Sequence, residues 1–126
     1  PLTPEILAAG GQYLQMDGRT VFKWAVQWIP QVVAQLLRQC QLETSDIDLF
    51  VLHQANSRII EAAMAGLSIP PEKIWTNLDR YGNTCAASIP VALIEAERAG
   101  VLKAGQNVLL CGFGAGLTWG AAVVRW

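Results

Sequence analysis

An α/β layered fold, with a largely parallel sheet and one antiparallel closing pair, is what this sequence of 126 residues predicts. Three observations carry that expectation. Apolar positions alternate between helical spacing and short runs, in the order helix, strand, helix, strand, helix, strand, strand. The last two runs flank a glycine-rich turn, which suits an antiparallel pair. Hydrophobic residues make up 52% and charged residues 15%, enough apolar side chain to build a core at this length.

The elements follow in chain order. Residues 1–17 carry Pro1, Pro4, Gly10 and Gly11 and read as a linker or loop remnant, with the domain in 18–126. Asp17 is a candidate N-cap. From there Phe22, Ala25, Val26, Ile29, Val32, Val33, Leu36 and Leu37 recur at helical spacing, predicting a long amphipathic helix. Pro30 should kink it, because proline cannot bond to the carbonyl of Val26. "IDLFVL", 47–52, reads as a buried strand, and a second helix covers Ser57 to Ala65, closed by Gly66. "SIPPEK" is a connection and "IWTNL", 74–78, a possible short strand. "CAASIPVALIEAERAG", 85–100, reads as a third helix, with Pro90 tolerable only near its first turn. "NVLLCG" and "LTWGAAVVRW" are the closing strands.

Composition excludes several classes of function. The formal net charge is −1 and the nine Lys and Arg residues are scattered, which gives no footprint for nucleic acid. Cys40, Cys85 and Cys111 form neither a disulfide framework nor a metal-ligand pair, which suits a reducing compartment. The longest apolar runs are far short of a membrane span, and "PLTPEILAAGG" does not read as a secretory signal. Starting at Pro1, the chain is expected to be a piece of something longer. A chain this apolar is expected to bury surface against another domain or subunit.

Two segments carry candidate chemistry. His53, the single histidine, follows a strand, and in open α/β sheets sites form where strand ends lead into helices. An equally weighted alternative is a core histidine satisfied by a backbone carbonyl. Asn83 in "RYGNT" lies between a glycine turn and a helix start, where asparagine is also ordinary turn chemistry. Ala86, Ala87 and Ser88 are small enough to let a helix approach other backbone closely. "GFGAGLTWG" lacks the spacing of a nucleotide loop and precedes a strand rather than a helix, so most of its glycines read as a tight turn.

"HQAN" at a strand end, then "GNTCAASIP", then "GFGAGLTWG" before a terminal strand, resembles the C-terminal half of β-ketoacyl-[acyl carrier protein] synthase III, a thiolase-fold condensing enzyme of fatty-acid synthesis. The resemblance runs from about Met16 to Trp126. It implies a thiolase-like layered α/β fold and a Cys–His–Asn site. In that site a cysteine takes an acyl group from acyl-CoA, by resemblance acetyl-CoA. Malonyl-[acyl carrier protein] then loses CO2, and its carbanion attacks the enzyme-bound thioester.

By match to the motifs, His53 and Asn83 are the catalytic pair. Ala115 stands where many members have glycine and would supply an oxyanion-hole N–H, Phe113 would line the acyl site, and Asn56 would contact pantetheine or CoA. Lys23 and Arg58 would face the acidic carrier protein; each is equally readable as solvated surface charge. The resemblance further implies no tightly bound cofactor and no metal, a homodimer, and a cytoplasmic or plastid-stromal location. The resemblance implies that the nucleophilic cysteine sits at the start of a buried helix in the N-terminal half; Cys85 stands where relatives usually have serine, while Cys40 and Cys111 read as buried structural residues. Two alternatives stay open: a non-catalytic half or split subunit that keeps the carrier and CoA surface, and a related polyketide-type synthase.

Overall fold

The computed structural model describes residues 2–126. The first segment is not all loop. Thr3 accepts the Ile6 N–H through its hydroxyl and Pro4 occupies the first helical position, so a short helix α1 forms at Pro4–Ala8. Helix α2, Gly18–Cys40, starts where expected, because the Asp17 carboxylate takes the N–H groups of Arg19 and Thr20, both at 3.1 Å. It runs through Pro30 without ending, and Ala25, Ile29, Val33 and Leu37 form its buried stripe.

Strand β1, Leu49–Leu52, is buried at all four positions. Helix α3, Ser57–Ala65, has its expected bounds, capped by Asn56 and closed by Gly66. The strand expected at 74–78 shrinks to one parallel bridge between Phe50 and Ile74. Beyond it, the Asn77 N–H turns away from the sheet to the side chain of Gln54, and a four-residue helix α4, Leu78–Tyr81, follows. The third helix starts three residues later than expected. Cys85–Ala87 form a 3-10 turn, and α5 spans Ser88–Arg98. Pro90 is then the third helical residue, where the missing N–H had no helical partner to lose.

Strand β2, Asn107–Gly114, pairs in parallel with β1 and antiparallel with β3, Thr118–Arg125, in the order β1-β2-β3. The sheet is mixed, and helices cover both faces. Phe50, Leu52, Leu109 and Cys111 face α2 and α3, where Ile60, Ala63 and Met64 complete one core. Leu49, Val51 and Val108 face the other way and pack on Ala92 and Ala96 of α5. Those two alanines bring α5 close to the sheet, and its first turn therefore reaches the carboxyl ends of β1 and β2. Among the described residues, no helix is long and apolar enough to cross a membrane.

Candidate functional site

The parallel pairing of β1 and β2 sets both carboxyl ends on one edge, and that edge builds the site. His53 directly follows β1, and its N–H continues the ladder by donating to the Cys111 carbonyl at 2.8 Å. The imidazole is half-buried. Its Nδ1 lies 2.6 Å from the Ser88 hydroxyl oxygen on α5, and its ring meets Phe113 of β2 edge-on, with centroids 5.4 Å apart. Burial pushes its pKa below the ordinary value and favours the neutral imidazole. Phe113 is held from behind by Trp24 of α2 at 6.0 Å, and Trp24 in turn packs on Trp119 of β3 at 5.7 Å.

Asn83 enters from the turn after α4. Gly82 takes φ 64°, ψ −157°, a conformation that suits glycine. The next side chain folds back, and Asn83 Oδ1 accepts the Cys85 N–H at 2.8 Å. A backbone N–H can only donate, so the amide oxygen must face it, and the amide –NH2 has no hydrogen-bond partner among the described residues. Turn chemistry and a fixed external donor are thus the same feature.

His53, Asn83, Cys85, Ser88, Phe113 and Ala115 line one cleft of about 380 Å³. Ala115 belongs to the turn between β2 and β3, and its carbonyl accepts the Thr118 hydroxyl at 3.0 Å. Among the described residues the non-glycine positions with positive φ are Gln41, Ser68 and Cys85, so Ala115 carries its Cβ on ordinary backbone. The arrangement offers an amide –NH2, a predominantly neutral imidazole, an apolar wall and a backbone turn, which suits stabilising a developing oxyanion.

The other expected site residues lie outside this cleft. Asn56 is exposed, and its oxygen caps α3 by accepting the Arg58 N–H at 2.9 Å. Arg58 and Lys23 are exposed. Cys85 is exposed and inside the cleft, Cys111 is buried as expected, and Cys40, expected to be buried, is instead exposed because it falls at the very end of α2. Among the described residues, no cluster of His, Cys, Asp and Glu is placed to hold a metal.

Two residues of the site had no role assigned from the sequence. The sequence marks Ser88 only by its small size. Gln54 is fully buried behind the cleft, donating to the Leu52 carbonyl at 2.8 Å and accepting the Asn77 N–H at 3.2 Å. Asn77 then donates to Glu95 on α5, which also receives Arg80 and Tyr81. The signal for Gln54 was its place in "HQAN", immediately after a fully buried strand.

The chain is similar to known proteins in sequence and in fold. Beta-ketoacyl-[acyl-carrier-protein] synthase III of Rhodopirellula baltica is 55% identical over 126 residues, which are all of this chain and 36% of that protein. The crystal structure of the Thermus thermophilus synthase III superposes with a TM-score of 0.87 at 52% identity, over 89% of this chain and 35% of that one. The Pseudomonas aeruginosa 3-oxoacyl-(acyl carrier protein) synthase III gives a TM-score of 0.89 at 41% identity, over 100% of this chain and 38% of that one. The chain therefore has a thiolase-like fold and spans little over a third of the length of the relatives it matches. Because residues 37–126 also match the family model described as 3-oxoacyl-[acyl-carrier-protein (ACP)] synthase III C terminal, the chain belongs to the synthase III family.

Proposed function

We propose that these residues are the decarboxylating half of a condensing acyltransferase that joins acyl-CoA, by family resemblance acetyl-CoA, to malonyl-[acyl carrier protein]. The observation that carries the reading is the convergence of His53 and Asn83 on one cleft, with the Asn83 –NH2 freed by the bond to Cys85. When the malonyl carboxylate leaves as CO2, the electron pair of the broken C–C bond moves onto the thioester oxygen. Two fixed N–H donors hold that enolate oxygen. The enolate carbon then attacks an acyl-cysteine thioester, whose cysteine belongs to an N-terminal half beyond these residues. The Ala115 N–H meets the oxyanion of the tetrahedral intermediate, which collapses by expelling the cysteine thiolate. Phe113 bounds the acyl group.

The rest of the reading follows from the family. Asn56 would touch the pantetheine arm, and the exposed Lys23 and Arg58 would meet the acidic carrier protein. The partners are the carrier protein, the N-terminal half and a second copy. The enzyme needs no resident cofactor and works in the cytoplasm or the plastid stroma. These 126 residues alone would not transfer an acyl group.

The test uses the whole polypeptide and measures CO2 release from malonyl-[acyl carrier protein]. His53→Ala and Asn83→Ala should each lower it about 10²–10³-fold, the scale for one oxyanion donor. Folded variants that decarboxylate at the parent rate would overturn the reading.

A further inference from the structure

The contact between Ser88 and His53 contains more information than its length. Ser88 is 1% exposed and is the first residue of α5. Its Oγ has two neighbours within hydrogen-bond reach among the described residues, His53 Nδ1 at 2.6 Å and the Gln54 backbone nitrogen at 3.2 Å. The second can only donate, so it occupies a lone pair of the serine oxygen. The hydroxyl hydrogen then needs an acceptor in a place that solvent does not reach, and Nδ1 is the acceptor present. In the opposite arrangement Nδ1–H and Gln54 N–H would both donate to Oγ. The serine hydrogen would be buried without a partner, an arrangement that folded proteins avoid.

We infer that Ser88 is a positioning residue: its hydroxyl donates to His53 Nδ1, holds the neutral imidazole as the Nε2–H tautomer, and so turns an N–H donor toward the cleft. The same oxygen takes the N–H of the peptide after His53, fixing ring and backbone to one point on α5. That point is set by fold rather than by loop, because Ala92 and Ala96 seat α5 on β1. Ser88 thus links the packing of a helix on the sheet to the proton arrangement of the site. For its catalytic consequence, though not for the tautomer itself, the inference rests on the proposed decarboxylation.

The experiment uses the whole polypeptide, labelled with ¹⁵N at histidine, with His53→Ala to assign the ring signals. Ring ¹⁵N shifts and two-bond couplings report the tautomer of neutral His53, expected to be Nε2–H. Ser88→Ala should mix the two tautomers and lower kcat for malonyl decarboxylation about 10-fold, as for partners that orient metal-bound imidazoles. KM should stay unchanged, and Ser88→Thr, which keeps the hydroxyl, should restore the tautomer and most of kcat. An Nδ1–H tautomer of His53 in the parent protein overturns the inference, whether or not Ser88→Ala folds. So does a Ser88→Ala protein that keeps a pure Nε2–H ring. Undiminished decarboxylation by His53→Ala would sink the proposed function instead and leave the tautomer result standing.

Discussion

Asn83 Oδ1 accepts the backbone N–H of Cys85 at 2.8 Å, two residues on, and this bond decides which end of the amide faces outward. The acceptor is spent on the turn and the donor is left for the cleft. Asn83→Asp therefore separates structure from chemistry. Aspartate still accepts the Cys85 N–H, so urea unfolding should be unchanged. It has no N–H to offer, and CO2 release from malonyl-[acyl carrier protein] should fall about 10²–10³-fold. Asn83→Ala loses both roles, with about 1 kcal/mol of stability added to the same loss of rate. An active Asp variant would show that the free –NH2 has no part in the reaction.

His53 gives the fold a pH dependence of defined sign. Burial depresses its folded pKa below the ordinary histidine value of about 6.5. Between the two values the unfolded chain binds more proton than the folded one, so stability rises with pH across that window. Folding free energy should be flat between about pH 7 and pH 8 and fall as pH drops through about 6.5. His53→Gln should remove that slope while leaving the separate carboxylate titrations at lower pH. Urea midpoints measured from pH 8 to pH 5 check it, and an identical slope in both proteins would refute it.

The three thiols should react in two classes. Burial pushes Cys111 up to about 11, whereas Cys40 and Cys85 are exposed. Iodoacetamide on the folded chain at neutral pH should add two groups and leave Cys111 unmodified, because both exclusion and a scarce thiolate protect it. Unfolding should expose the third. Peptide mass mapping reads the result, and rapid labelling of Cys111 in the native chain would mean that β2 is not covered as described.

Much of this architecture was legible in the residues. The Asp17 cap, the helix at Ser57–Ala65 and the closing hairpin were all marked by local chemistry: a cap, helical spacing, a glycine turn. The misses have physical causes. Residues 1–17 held too many Pro and Gly residues to suggest α1, yet Pro4 sits where proline favours a helix start. The strand expected at 74–78 keeps only the Phe50–Ile74 bridge because the Asn77 N–H is taken by a side chain, which no apolar pattern encodes. His53 and Asn83 were found through local motifs and share a cleft only because β1 and β2 are parallel and α5 packs close. Ser88 and Gln54 act through contacts 35 and 23 residues distant in sequence, which spacing does not reveal.

Gln54 ties the site to the body of the protein, and two substitutions of similar size should distinguish its two bonds. It is fully buried, its Nε2 donates to the Leu52 carbonyl at 2.8 Å, and its Oε1 accepts the Asn77 N–H at 3.2 Å. Gln54→Leu leaves both backbone groups without partners, each costing about 1–3 kcal/mol. Gln54→Glu keeps the acceptor for Asn77 but sets a carboxylate oxygen against the Leu52 carbonyl in a place without solvent. Its carboxyl should stay protonated well above the usual carboxylate range to supply the missing donor. The Glu variant should therefore match the parent more closely at acidic pH and lose stability as pH rises through its folded pKa, a slope opposite in sign to that of His53. The Leu variant should be destabilised by a similar amount at every pH. Urea midpoints for the two variants at pH 5 and pH 8 separate these outcomes, and a Glu variant as stable at pH 8 as at pH 5 would mean that the Gln54 pocket is open to water.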